Sequence, residues 1–242
     1  MKSVTVGGTT VVFDPEKHAY HAEGIFVPGV TSILGRIAKP ALIPWAANTA
    51  IAYIRDNISD IDHPSFWDDA KKSWRSYSED AMAIGTEVHE YAEKNLRGDL
   101  AVLPRGIEAQ KSVAAFLEWR QAHHITLIEA EKLVFHKGLW YAGTCDFYGK
   151  IDGQICVLDF KTSARVYDEY LIQLAAYAMA IEEEIGVDVN AGWIVRLDKK
   201  TGKFQAVKCD LTQGTPSGDN ARGLWYHIKE FDKLSKERKN GL

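Results

Sequence analysis

Asp146, Asp159 and Lys161 are two carboxylates and an ammonium gathered around one short apolar segment, a combination suited to metal-assisted phosphate chemistry. The segment, Ile155-Cys156-Val157-Leu158, is a continuous apolar run and reads as a strand buried on both faces. Ions at the end of such a strand lose hydration, and leaving either one unpaired would cost several kcal/mol. Asp159 and Lys161 are two residues apart, so their side chains share a face. Asp146 is expected to end the preceding strand and to come beside them if residues 149–153 turn the chain. Two carboxylates and a lysine so placed could hold a divalent metal and a phosphate together.

Helical phasing brings further candidates. Met82, Gly85, His89, Ala92 and Leu96 recur on one stripe. His89 should therefore face the core, beside a glycine that permits close backbone approach. It reads either as a buried histidine bonded to backbone or as a metal ligand, since imidazole serves both roles. Downstream, Leu171, Leu174, Ala178, Ile181 and Ile185 form an apolar stripe, with Tyr170, Gln173 and Tyr177 along its edge. That polar edge could bond to the strand bearing Asp159 and Lys161, contact a phosphate, or be an ordinary solvated margin. Glu131 in the strand before Asp146 could add an oxygen ligand. Trp140 and Tyr141 could stack on a base or belong to the core.

The elements that must position these groups follow from periodicity and turn signals. Residues 3–27 read as short strands, with Gly7-Gly8 as one hairpin turn and residues 20–25 as a second. Thr31 is expected to cap a short helix after Pro28-Gly29. Helices are expected over 43–57, 65–97 with a break near Tyr77, and 105–123, Ser65 capping the second and Gly98 stopping it. Strands follow at 125–135, 139–148 and 154–161. Then come a helix over 166–185 stopped by Gly186, a hairpin 191–197/204–210, and a last helix over 219–238. The order implies an α/β fold with a mixed sheet flanked by helices and an N-terminal helical elaboration. One domain over residues 1–242 is expected, with residues 1–100 as the flank and 101–242 as the core carrying the site.

Composition narrows the setting. The chain has 242 residues and a net charge of −4, which argues against nonspecific coating of nucleic acid by the whole surface. It leaves room for a local basic groove. The runs Lys71, Lys72, Arg75 and Lys229, Lys233, Lys236, Arg238, Lys239 read first as solvated helix faces. No apolar stretch reaches the roughly 18–20 residues that span a bilayer, so no membrane partner is expected. Cys145, Cys156 and Cys209 are odd in number and widely spaced, which indicates neither a disulfide framework nor a metal–sulfur cage. A reducing, cytoplasmic setting is the expectation. His89-Glu90 lacks the second histidine of a zinc-protease helix, Gly138 to Thr144 lacks the lysine of a phosphate loop, and there is no nucleophile elbow.

In order, Gly85-Thr86-Glu87-Val88-His89-Glu90, Glu131, Gly143-Thr144-Cys145-Asp146, Leu158-Asp159-Phe160-Lys161-Thr162-Ser163 and Gln173-Leu174-Ala175-Ala176-Tyr177 resemble the PD-(D/E)XK nuclease superfamily, in its RecB-like branch. Val27-Pro28-Gly29-Val30-Thr31-Ser32-Ile33-Leu34 and Leu42-Ile43-Pro44-Trp45 extend the likeness toward the exonuclease family of mitochondrial genome maintenance and its phage-borne relatives. The likeness spans roughly residues 20–180. Cys145 replaces the proline that names the superfamily, and Gly29 stands where relatives often carry serine. The four cysteines of the iron–sulfur members are missing, so no cluster is implied.

The resemblance implies metal-dependent hydrolysis of DNA phosphodiesters, at DNA ends or on single strands, in repair or recombination. Asp146, Asp159 and His89, with the Phe160 carbonyl and Glu131, would hold Mg²⁺ or Mn²⁺. Lys161 would position or deprotonate water, or offset charge on the phosphate. Gln173 and Tyr177 would orient Lys161 and the DNA backbone. The N-terminal helices would form a wall over the cleft. The alternatives are an inactive DNA-binding or assembly module of the same fold, and a structure- or sequence-specific endonuclease.

Overall fold

The computed structural model describes residues 2–239. Met1 and residues 240–242, at the two ends of the expected domain, lie outside them, as does the Lys239 side chain. The chain opens with four short strands, β1 (Lys2–Val6), β2 (Thr9–Asp14), β3 (Ala19–Ala22) and β4 (Ile25–Val27), paired antiparallel in chain order. Gly7 and Gly8 both have positive φ, as do Glu23 and Gly24. Two-residue turns of that kind match the twist of the strands they join, so both expected hairpins form.

A second, mixed sheet carries the chemistry. It comprises β5 (Ile125–His136), β6 (Tyr141–Ile151), β7 (Gln154–Lys161), β8 (Ala191–Leu197) and β9 (Phe204–Asp210), again in chain order. All neighbours are antiparallel except β7 and β8, which are parallel. A parallel pair needs a crossover, supplied here by α5 (Glu169–Ile185). The register of β5 on β6 shifts between Leu127 and Glu129. Gly149 sits opposite, where a Cβ would collide with the Thr126 carbonyl; the glycine admits that irregularity.

Helices cover both faces of this sheet. α1 (Val30–Leu34), α5 and α6 (Pro216–Lys239) lie on one face, where Ile33, Leu174, Ala176 and Trp225 pack against Val157 and Ile194. α3 (Phe66–Arg97) and α4 (Ile107–Ala122) lie on the other, where Val88, Phe116 and Trp119 pack against Leu158, Phe160 and Val195. β7 is thus buried from both sides, as its apolar run implies. The four-stranded sheet packs Val11, Tyr20 and Val27 against Leu133, Phe135 and Ala142 of β5 and β6. Among the described residues, no helix is long and apolar enough to cross a membrane.

Several local expectations are corrected. α3 runs through Tyr77 without a break; no proline interrupts its hydrogen bonds there. Thr31 lies inside α1, whose N-cap is Gly29 with no side-chain cap. Ser65 does occupy the N-cap of α3, but its hydroxyl donates to the Asp69 carboxylate, 2.6 Å away, instead of capping the backbone. Met82 is 61% exposed, because α3 meets the sheet only after that turn, and the stripe buried there is Val88, Ala92 and Leu96. Ile185 of the α5 stripe is also exposed. The other helix and strand ends fall within a few residues of expectation. Gly98 and Gly186 adopt the left-handed conformation that closes a helix. α2 (Leu42–Asp56) packs along α3 and buries none of its own residues.

Candidate metal centre

Asp146 stands in the middle of β6, not at its end. The β6–β7 pairing stops at Phe147↔Leu158, and one step further the Asp146 carboxylate replaces the partner strand. Its Oδ2 accepts from the Phe160 amide at 2.7 Å. A side chain thereby takes a ladder bond and holds the strands apart, which opens a cavity of about 230 Å³. In a strand a residue's N–H and C=O point to the same neighbour, so the Phe160 carbonyl shares the Asp146 side.

Three elements converge at that opening. His89 reaches it from α3, its Nδ1 3.2 Å from Asp146 Oδ2. Glu131 reaches it from β5, between the pairs Ala130↔Phe147 and Lys132↔Cys145. Glu131 has φ +50° within a strand, a conformation costing a non-glycine residue about 1–2 kcal/mol. Strain of this kind concentrates where a side chain must be aimed. His89, Glu131 and Asp146 each present a ligand atom, all within 4.8 Å of one another. Glu131, expected as an auxiliary ligand, is a full member of this group. Asp159, expected as a principal one, does not join the three at that spacing but lines the same cavity.

Asp159 is 3% exposed and organised by a different set of partners. Gln173 Nε2 donates to its Oδ1 at 3.1 Å and to the Tyr177 hydroxyl at 2.7 Å. Lys161 Nζ lies 2.5 Å from its Oδ2. That contact is an ion pair off the hydrogen-bonding direction, so Oδ2 remains a buried oxygen without an aligned donor. Gln173 and Tyr177 are 4% and 2% exposed, so they are not a solvated helix margin. They orient Asp159 and not Lys161, to which neither hydrogen-bonds among the described residues. The Lys161 ammonium also sits over the Tyr170 ring, 4.7 Å from its centre.

Burial works against the His89 imidazolium, but the Asp146 charge and hydrogen bond, with Asp159, outweigh it and raise its pKa to about 9. Burial, reinforced by Asp146, raises Glu131 to about 7. Burial also raises Asp159 to about 6, against the pull of Lys161. Burial resists ionisation of Asp146 too, yet His89, Lys161 and the Phe160 amide hold it below the usual carboxylate range. Lys161 is held above the lysine range because Asp159 and Asp146 overcome its burial. Glu131 is thus about half protonated at neutral pH, while Asp159 has given up most of its proton and stands ionised beside Lys161. The crowded Glu131 and Asp146 carboxylates and the His89 imidazole form a group that could hold a metal ion.

Two groups here were not singled out as site residues. Tyr20 donates to or accepts from Thr144 Oγ1 at 3.2 Å, and His18, at φ +47°, lines the cavity with Tyr20. Both come from the N-terminal sheet, and no local pattern signals a contact across 124 residues. Tyr141, by contrast, is fully buried and donates to the Ala176 carbonyl at 2.8 Å, so it is a core residue and no base-stacking platform. Gly85 is not closely crowded, since a Cβ there would meet Thr162 Oγ1 at 3.4 Å. Gly143 is. A Cβ would come 2.8 Å from Tyr177 Cε1 and 3.1 Å from Val30 Cγ2. Gly143→Ala should cost about 1–3 kcal/mol through overpacking and displace Tyr177 from Gln173. The expected readout is a melting temperature lower by several degrees, with weaker metal binding, and an unchanged melting temperature would contradict it.

No protein-family model matches the chain, and no curated protein matches it with significant similarity. The functional reading therefore rests on the site itself and on the motif resemblance.

Proposed function

We propose that this chain is a Mg²⁺- or Mn²⁺-dependent deoxyribonuclease on a PD-(D/E)XK core, an exonuclease acting on DNA ends or single strands. One observation carries the reading: a His–Glu–Asp ligand group shares a cavity with Asp159 and Lys161 at the point where two strands part. A divalent ion bound there would activate water and polarise a phosphate oxygen.

The side chains have separable duties. His89, Glu131 and Asp146 would hold the ion, with Asp159 Oδ2 and the Phe160 carbonyl completing the oxygen set. Lys161, held as an ammonium by Asp159 and Asp146, offsets charge growing on the phosphate, a role that suits it better than proton abstraction. Gln173 and Tyr177 fix the Asp159 rotamer. The mixed sheet with helices on both faces agrees with the architecture the resemblance implies.

The deciding measurement is a product ladder from 5′- and 3′-labelled single-stranded and duplex DNA, with Mg²⁺, Mn²⁺ or chelator. Metal-dependent shortening from ends supports the reading. Binding without product would indicate a non-catalytic module, and cleavage of closed circles an endonuclease.

A further inference from the structure

Lys229 on α6 is 6% exposed, and among the described residues it makes no ion pair or hydrogen bond. A solvated helix face, the plain reading of that basic run, would leave it in water. Instead it lines a groove of about 420 Å³ between α6 and the start of β6. Burial pulls its ammonium below the ordinary lysine range. The stem is covered while the ammonium stays open to the groove, where the Glu230 and Asp232 charges act on it and a bound anion can reach it.

The groove has two further properties. Lys233 and Lys236 follow Lys229 at i+4 and i+7, so all three share a helix face. Opposite them stand Trp140 and Phe26, the latter 54% exposed with Lys236 Nζ 5.9 Å above its ring. Three acids also line the groove, but Asp232 is neutralised by Arg36 at 2.7 Å and Lys236 at 2.6 Å. Glu230 and Glu237 remain, each only partly exposed. Ammonium groups facing aromatic surfaces are the chemistry that grips a nucleic-acid strand, phosphates on the lysines and bases on the rings.

Continuity with the metal centre favours that occupant over an acidic protein segment. Pro28 lines this groove while Val30 and Thr31 line the other cavity; likewise Trp140 lines this one while Gly143, Thr144 and Asp146 line the other. Two adjacent stretches of chain therefore run from one to the other, and from Trp140 to Asp146 is about 20 Å at strand spacing. Trp140 itself is held at φ +55°, its Nε1 donating to the Phe26 carbonyl at 3.3 Å.

We infer that the α6 groove is a second nucleic-acid contact, in which Lys229 and Lys233 bind backbone phosphates of a single strand that extends beyond the metal centre. This rests on the nuclease reading for the identity of the ligand, and its test is made without turnover. Binding of a fluorescent 20-nucleotide thymidine strand is followed by anisotropy in chelator, over a range of KCl concentrations. Lys229→Met should weaken binding roughly tenfold, the scale of one charged hydrogen bond lost. It should also reduce the slope of log affinity against log salt by about 0.7, one single-strand phosphate contact. Its melting temperature should stay within about 2 °C of the parent's, because methionine keeps the covered stem and the ammonium it removes lies at the solvent edge of the groove. Lys233→Met, at an exposed position, should lower the slope similarly and guards against misfolding of the first variant.

Unchanged affinity and slope in both variants would overturn the inference while leaving the nuclease reading intact. Equal, Lys229-dependent binding of a 20-residue polyglutamate would overturn it in favour of an acidic protein partner. Loss of metal-dependent cleavage in the parent, with groove binding retained, would instead strike the nuclease reading alone.

Discussion

Asp159→Asn and Lys161→Ala should each lower DNA cleavage by about 10²–10³-fold or more, the scale lost when one preorganised charge is removed from a transition state. Their stabilities should diverge, and the divergence is diagnostic. Asp159 is buried with its pKa raised to about 6, so removing its charge relieves a cost that offsets part of what Lys161 loses; Asp146 remains as the ammonium's counter-charge, and the asparagine variant should melt above Lys161→Ala at pH 8. Gln173 can still meet the new side chain by turning its amide. Lys161→Ala removes the cation 2.5 Å from Asp159, leaving that carboxyl to retain its proton to higher pH. The alanine variant should therefore melt lower at pH 8 than at pH 5.5, relative to the parent at each pH. Circular dichroism should remain native-like in both. Cleavage retained in both variants would refute the assignment of this pair.

Much of the fold was legible because it is written in local signals. β7 occupies the interval its apolar run defines. Gly98 and Gly186 end helices because a left-handed residue is inexpensive there for glycine alone. The Asp159–Lys161 pairing followed from the two-residue period of a strand. Tertiary decisions were less legible. α5 shows an apolar stripe with a polar edge, yet the structure buries almost its whole circumference between the sheet, α1 and α6. Gln173 and Tyr177 consequently became interior partners of Asp159. A helical wheel carries no record of what packs on its polar side.

The candidate ligand group shows the same limit. The sequence ends the preceding strand near Asp146, and charge inside a sheet is costly. The structure keeps it mid-strand and meets the cost with the Phe160 amide and the His89 ring. Glu131 looked like an ordinary strand glutamate; its importance lies in a backbone angle of +50° that its sequence neighbours do not announce. Lys229 is the complementary case. Its neighbours Lys233 and Arg238 are exposed, and a run of basic residues carries no record of which one packing covers.

In chelator, the protein should lose stability steadily from pH 5 to pH 9, and a divalent cation should restore more of it at the alkaline end. For the two acids, folded values of about 7 at Glu131 and about 6 at Asp159 exceed the unfolded values near 4. The folded state therefore binds protons that the unfolded state has released, and that advantage disappears as pH rises through 6 to 7. His89 carries the trend further. Its folded value of about 9 stands above about 6.5 in the unfolded chain, so its ion pair contributes fully below 6.5 and is lost as pH climbs through 9. All three terms have one sign, since stability falls with pH wherever the folded state holds more protons. Asp146, with its depressed value, acts oppositely but only in acid, below about 4, and His136, which burial holds below the ordinary histidine range, offsets part of the fall below about 6.5. A cation competes with these protons for the same lone pairs. Its stabilising effect should thus grow from pH 5.5 to 8.5, on the order of several degrees in melting temperature. Glu131→Gln should flatten the profile between pH 5 and 7 and weaken the response to Mn²⁺. A melting temperature independent of pH in chelator, or an equal Mn²⁺ response at both ends, would show that these side chains do not form one ion-binding group.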